Sequence, residues 1–177
     1  MKLDKDKRLV LILAPRGRDA AVIEQVLAPL ETRIRCCANL AQLTENLGEE
    51  ATAAILTEES LQHEALRSLQ AWIENQPPWF DFPFVVLANR QVGRRSPEAV
   101  QALASLGNDL LLERPLSADT LLKAVSSAMR SRRRQYEGRR QLQQYEAIGQ
   151  DNRRLYESER QSRAEAEAAN RAKDEFL

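Results

Sequence analysis

The amino-acid sequence predicts an α/β protein: five buried parallel strands in the order 2-1-3-4-5, helices on both faces of the sheet, and one long carboxyl-terminal helix. Three observations carry that prediction. Short apolar runs recur ahead of Ser117, each long enough for a strand buried on both faces. Stretches with helical apolar spacing separate them, so the strands are joined by crossovers that suit parallel pairing. From Ser117 to Leu177 there is no proline, and only Gly138 and Gly149 interrupt good helix formers.

The first run, Leu9 to Ala14, reads as a strand, and Val22, Ile23, Val26 and Leu27, after Asp19, share one face of a helix. Arg33 to Ala38 is a short second strand, and Leu40 to Leu47 a helix ended by Gly48. The third strand is "TAAILT", Thr52 to Thr57. Leu61 to Ile73 is helical, with Leu61, Ala65, Leu69 and Trp72 on one face. Two prolines stop that helix within "NQPPWFDF", Asn75 to Phe82, and three aromatics follow them. "PFVVLA" is the fourth strand, Pro97 to Leu106 the next helix, Asp109 to Glu113 the fifth strand, and Ser117 opens the last helix. In open sheets of this kind ligands bind just past the carboxyl ends of the strands. Ala14, Pro15 and Arg16 stand at that place and supply no carboxylate.

Composition narrows the function classes. The 26 Lys and Arg balance 26 Asp and Glu, so no global field draws the chain to nucleic acid or to an anionic membrane. No run approaches the roughly 18 apolar residues of a spanning helix, and the amino terminus leads into a strand rather than a signal peptide; a cytoplasmic protein is expected. Cys36 and Cys37 are adjacent, which strains a mutual disulfide, and no second cysteine pair or histidine cluster completes a metal site. Both are read as small buried strand residues. His63, the only histidine, falls in the helix after the third strand without an orienting partner for general-base work. No metal or cofactor is expected in this chain.

The last helix is too long for one small domain to cover: about 60 residues rising 1.5 Å each measure roughly 90 Å. Val125, Met129, Arg132, Tyr136 and Arg139 follow a four-three spacing. After a break near Leu142 it resumes at Tyr145, Ile148, Asn152, Leu155, Glu159, Ser162, Ala166, Ala169, Lys173 and Phe176. Helices this long seldom persist alone, so a parallel homodimeric coiled coil is expected. Its seam would hold Val125, Met129, Tyr136, Tyr145, Ile148, Asn152, Leu155 and Phe176, with Asn152 helping to fix register. A solitary helix or charged linker is the alternative. The chain thus divides into a domain over residues 1–130 and a helix over 131–177.

These residues resemble the receiver domain of two-component signalling, a flavodoxin/CheY-like fold. The likeness covers roughly Arg8 to Arg130 and is sharpest in "LGNDLLLERPL", Leu106 to Leu116, which is similar to the family's Gly-Ala-Asp-Asp-Tyr-Leu-x-Lys-Pro-Phe segment. Receivers phosphorylate themselves on an aspartate that ends strand three. An acidic pair after strand one holds Mg²⁺, a Thr or Ser ends strand four, and a lysine precedes a proline. Those parts supply a nucleophile, a hard cation's ligands and charge neutralisation for the phosphoryl oxygens. On this chain the acidic pair falls on Ala14 and Pro15, the acceptor on Thr57, the hydroxyl on Ala88 and the lysine on Arg114. The resemblance therefore implies a phosphorylation-incompetent pseudo-receiver, with a cis Arg114–Pro115 bond and an Arg114 that keeps its charge without the family's acidic pair beside it. A divergent active receiver using Glu58 as acceptor and Asp19 as metal ligand is the other reading.

"QPPWFDFPFVVLA" and "AMRSRRRQYEGRRQL" are similar to the amino-terminal domain of bacterial sensor histidine kinases, often hybrid and PAS-containing. "ANRAKDEFL", Ala169 to Leu177, resembles the stretch that leads into the kinase dimerisation helix. The resemblance implies a regulatory input domain of a kinase dimer, with a downstream kinase core where ATP and Mg²⁺ would be used. Trp72, Trp79, Phe80 and Phe82 are a candidate surface for a partner protein, or else cap the core. Pseudo-receivers followed by coiled coils also occur in RNA-binding antiterminators. Arg130, Arg132, Arg133, Arg134, Arg139 and Arg140 place six guanidiniums within eleven residues, a phosphate footprint. Interleaved Glu137, Glu146, Glu157 and Glu159 do not favour it. Some pseudo-receivers bind quinones, so a small-molecule sensor is a third class.

Overall fold

In the computed structural model, which describes residues 9–61, 66–90 and 97–175, apolar runs and helical stretches alternate as expected, and His63, Ala65 and Phe176 lie outside the described residues. The strands are β1 (Leu9–Leu13), β2 (Arg33–Cys36), β3 (Ala51–Thr57), β4 (Phe84–Asn89) and β5 (Asp109–Arg114). They pair in parallel in the order β2-β1-β3-β4-β5. The helices are α1 (Asp19–Leu27), α2 (Leu40–Asn46), α3 (Leu66–Glu74), α4 (Pro97–Ala104) and α5 (Ala118–Glu175). Leu61, expected to open the helix before β4, lies in a 3-10 turn, Glu58–Leu61, and residues 62–65 lie outside the described residues.

Because alternate strand residues point to opposite faces, β1 divides its side chains between two cores. Leu9, Leu11 and Leu13 join Leu40 and Leu43 of α2, Leu69 of α3 and Leu103 of α4. Val10, Ile12 and the adjoining Ala14 join Ile23 and Leu27 of α1 with Leu121 and Val125 of α5. Both faces of β1 and β3 are buried, which is why their sequences lack polar alternation. Edge strand β2 exposes Arg33, Arg35 and Cys36. Only Cys37 is buried, so the expectation of two buried cysteines fails at Cys36: the strand has no neighbour on that side. Val22 also departs from the expected helical face and is 55% exposed, since Ile23 and Leu27 already fill the stripe that meets the sheet.

Local chemistry fixes the helix starts. The Asn39 side chain accepts from the Gln42 amide while the Gln42 side chain accepts from the Ala38 amide, a reciprocal cap ahead of α2. Ser117 caps α5 by accepting from the Thr120 amide, and Asp119 sits in the first turn near the positive end of the helix dipole. Gly107 enters β5 with φ +74°, a left-handed conformation that glycine adopts without a Cβ penalty.

Tertiary contacts divide the chain after Gln135 rather than after residue 130. The reason is Arg132. It is fully buried, with its guanidinium 3.4 Å from the centroid of Phe80 and 5.7 Å from that of Phe82. Two expectations change accordingly. Val125 is fully buried and Met129 partly buried in the domain's own core, so neither is available to a dimer seam. Phe80 and Phe82 are buried in the core as well, and the partly buried Trp72 and Trp79 pack edge-on against them and cap it.

The second unit, from Tyr136, consists of the remaining helix. All residues from 141 to 171 are exposed, including Leu142, Tyr145, Ile148, Leu155 and Tyr156.

Removal of the buried arginine should be visible in stability. A chain ended after residue 140 is expected to match the first unit's urea midpoint, followed by Trp72 and Trp79 fluorescence. One ended after Met129 loses Arg132 and Gln135 and is expected to be weaker by about 2–4 kcal/mol. Equal midpoints would show that the domain ends where the sequence alone placed it.

Candidate functional site

The parallel register brings the carboxyl ends of four strands to one rim. Leu13 stands opposite Leu56, Thr57 opposite Leu87, and Ala88 and Asn89 opposite Glu113 and Arg114. Ala14, Thr57, Ala88 and Arg114 therefore gather there with Pro15, as a receiver-like pocket requires. Ala14 and Ala88 are buried and offer only methyl groups, while Pro15 is exposed and has no side-chain donor. Thr57 is 3% exposed. Its backbone carbonyl accepts from the Ser60 hydroxyl at 2.6 Å, but its own Oγ1 has no formed hydrogen bond.

Arg114 is the organising group. Its Nη1 donates to Asp19 Oδ2 at 2.9 Å and its Nη2 to Glu59 Oε1 at 2.6 Å. Positions 14 and 15 give this cation no acid partner, and its partners come instead from the start of α1 and from the 3-10 turn after β3. A planar fork bridges two carboxylates in a way that a lysine ammonium, a point charge, does not. Only the Nε of this guanidinium is buried without a partner. The Arg114–Pro115 bond is cis, as the resemblance implied.

Asn89, which sequence reasoning missed, ties the carboxylates to β4. Its side-chain amide donates to Glu59 Oε1 at 2.6 Å and its backbone amide to Glu58 Oε2 at 3.2 Å. Burial by itself would raise the Glu59 pKa. The hydrogen bond to its own backbone amide, the Arg114 charge and the Asn89 amide outweigh that effect and hold the carboxyl below its ordinary range. The nearby Thr57 hydroxyl favours the carboxylate as well, although it falls short of a well-formed hydrogen bond.

A divalent cation, which a receiver-like pocket implies, does not fit this donor set. Mg²⁺ takes oxygen ligands in near-octahedral array. The side chains at positions 14 and 15 give none, and Asp19 and Glu59 are engaged by a guanidinium. Among the described residues no cluster of three or more His, Cys, Asp or Glu is placed to hold a metal ion. The same network opposes Asp19 as a metal ligand and leaves Glu58 directed at the Asn89 amide.

Comparison with known proteins defines the fold. The chain superposes on a response regulator receiver protein from Pseudoalteromonas atlantica with a TM-score of 0.53 and 19% identity, covering 70% of this chain and 98% of that one. A CheY-like receiver domain protein from Methanospirillum hungatei JF-1 gives 0.55 and 15%, covering 72% and 97%. A receiver domain protein from Clostridium thermocellum gives 0.54 and 14%, covering 71% and 97%. No family model and no curated protein sequence matches. The fold is that of response regulator receivers. No helix among the described residues is long and apolar enough to cross a membrane.

Acid titration reads the carboxylate network. The folded Glu59 pKa is depressed below the ordinary 4.5, so this group adds stability above that value and loses it as pH falls through the folded pKa. Glu59→Gln is therefore expected to show a shallower decline in urea stability between about pH 5 and pH 3 than the unaltered chain. Identical slopes would mean that the Glu59 charge contributes nothing to folding.

Proposed function

We propose that this chain is a regulatory, receiver-like input domain that takes no phosphoryl group on an aspartate, joined by a dimeric signalling helix to a two-component sensor histidine kinase. One observation carries the first half: the Arg114 fork closed on Asp19 and Glu59, at a rim where the acceptor position holds Thr57. Phosphoryl transfer to a receiver needs a carboxylate nucleophile, a cation held by acids, and a free positive charge for the phosphoryl oxygens. Thr57 is an alcohol rather than a carboxylate, Ala14 and Pro15 hold no cation, and the Arg114 charge is neutralised internally. In this reading the domain performs no chemistry of its own, and signalling is a change in packing that biases the helix between two arrangements a few kcal/mol apart.

The kinase connection is supported by the likeness of "ANRAKDEFL" to the segment that precedes a kinase dimerisation helix. Pairing is supported by the exposed apolar residues of the second unit. A parallel partner helix would cover Tyr145, Ile148 and Leu155 for roughly 1.5–3 kcal/mol each. Asn152, Glu159 and Ser162 in the same seam weaken it, and Val125 and Met129 do not contribute because they belong to the domain core. The nucleic-acid reading is weaker than it was on sequence, since burial of Arg132 removes one of its six guanidiniums.

Two experiments test the reading. With Mg²⁺ and a small phosphodonor such as acetyl phosphate, the chain is expected to remain unmodified by mass spectrometry; stoichiometric hydroxylamine-labile phosphate would sink the phosphorylation-incompetent assignment. In sedimentation the full chain is expected to dimerise with a dissociation constant on the order of micromolar, while a chain ended after residue 140 stays monomeric. A full chain that remains monomeric at high concentration, or a shortened one that still dimerises, would take the helix out of the assembly.

A further inference from the structure

The face of α5 that meets the sheet runs through Leu121, Val125 and Ala128, at successive three- and four-residue steps. The next two steps on that stripe are Arg132 and Gln135, so the apolar stripe turns polar in the last turn before the unit boundary. That change is costly unless the polar groups have specific work, because a buried cation needs both a partner and hydrogen bonds. Here the guanidinium lies 3.4 Å from the Phe80 centroid, and its Nη1 donates to Gln135 Oε1 at 2.8 Å. Gln135 is thereby oriented toward one residue. Its Oε1 also accepts from the Asp81 amide at 3.2 Å, and its Nε2 donates to the Asp81 carbonyl at 2.6 Å. The same carbonyl accepts from Asn108 Nδ2 at 3.2 Å, just ahead of β5.

We propose that Arg132 and Gln135 form a clasp that sets the rotational phase of α5, so that the segment leading into β4 and the end of the domain's helix open and close as one unit. Apolar contacts such as those of Val125 tolerate small rotations. The paired bonds of Gln135 to one backbone residue do not, because hydrogen bonds weaken steeply off axis. A turn of α5 large enough to move one residue off this stripe breaks the bonds to Asp81 and lifts the guanidinium from Phe80 together. Trp72, edge-on to both Phe80 and Phe82, extends the unit to α3. Arg132 and Gln135 are positioning residues in this account. Its use in signalling rests on the regulatory function proposed above; the clasp itself does not.

Hydrogen exchange followed by mass spectrometry on the full chain separates a clasp from ordinary packing. In Arg132→Met, amides of residues 77–83 and 128–138 are expected to exchange at least about tenfold faster, by a common factor, with β1 and β3 unchanged. Arg132→Lys keeps a charge but lacks the fork and should recover only part of the protection. Gln135→Ala, which leaves the core cation in place, should open the same two segments to a smaller extent and guards against a variant that does not fold. The proposal is overturned by loosening of residues 77–83 without α5, by a uniform rise that includes β1 and β3, or by no change in either variant. Neither the phosphodonor nor the sedimentation result bears on this outcome, so the two readings fail separately.

Discussion

Burial of both faces of β1 and β3 is the constraint on which the other features of the domain depend. A strand with no wet face must be covered by helices on each side, and parallel neighbours joined by helical crossovers supply that cover. The division of β1 between two cores then fixes which helices lie where: α2, α3 and α4 on one side, α1 and α5 on the other. Such an interior has no place for charge, so polar groups collect at the two ends of the sheet. Both ends are organised by an arginine.

At the carboxyl rim, Arg114 sits among carboxylates; at the opposite end, Arg132 lies on an aromatic face. The two environments solve the same physical problem differently. Arg114 is partly exposed, and its charge is matched by Asp19 and Glu59, with Asn89 holding Glu59 in turn. Arg132 is wholly buried and uses the quadrupole of Phe80 together with the amide of Gln135. Each joins segments distant in sequence. The first links α1, the turn after β3, β4 and β5, whereas the second links α5 to the segment before β4.

This arrangement ties together the rim of a receiver fold whose acceptor and acidic-pair positions carry Thr57, Ala14 and Pro15. In the pocket that the family resemblance describes, charges are held ready for a phosphoryl group. Here Arg114 is compensated by Asp19 and Glu59, while Thr57 Oγ1 and Arg114 Nε stay buried without a formed hydrogen bond. The alanines at positions 14 and 88 continue the apolar interior up to the rim, and Thr57 ends β3 with a hydroxyl where the resemblance places a carboxylate. In the proposed reading what remains for the fold to do is mechanical. The long helix α5 begins in the core with Leu121 and Val125, and its exposed later residues carry apolar groups for a second copy of the chain in the proposed reading.

The sequence by itself determined the five strands and the extent of the long helix, because each depends on short-range pattern: apolar runs, helical spacing, proline and glycine; the strand order followed from the alternation of strands and helices, and the candidate pocket positions from the receiver resemblance. It also identified "LGNDLLLERPL" as the approach to a cis proline, through resemblance rather than spacing. Tertiary structure decided the rest. The partners of Arg114 lie 95 and 55 residues away, and the bonds of Gln135 to Asp81 span 54, separations at which no local pattern operates. Val125, Met129 and Arg132 obey a four-three spacing that a domain core and a coiled-coil seam share. Periodicity shows that a helix has an inward face, and only the folded chain shows what that face meets.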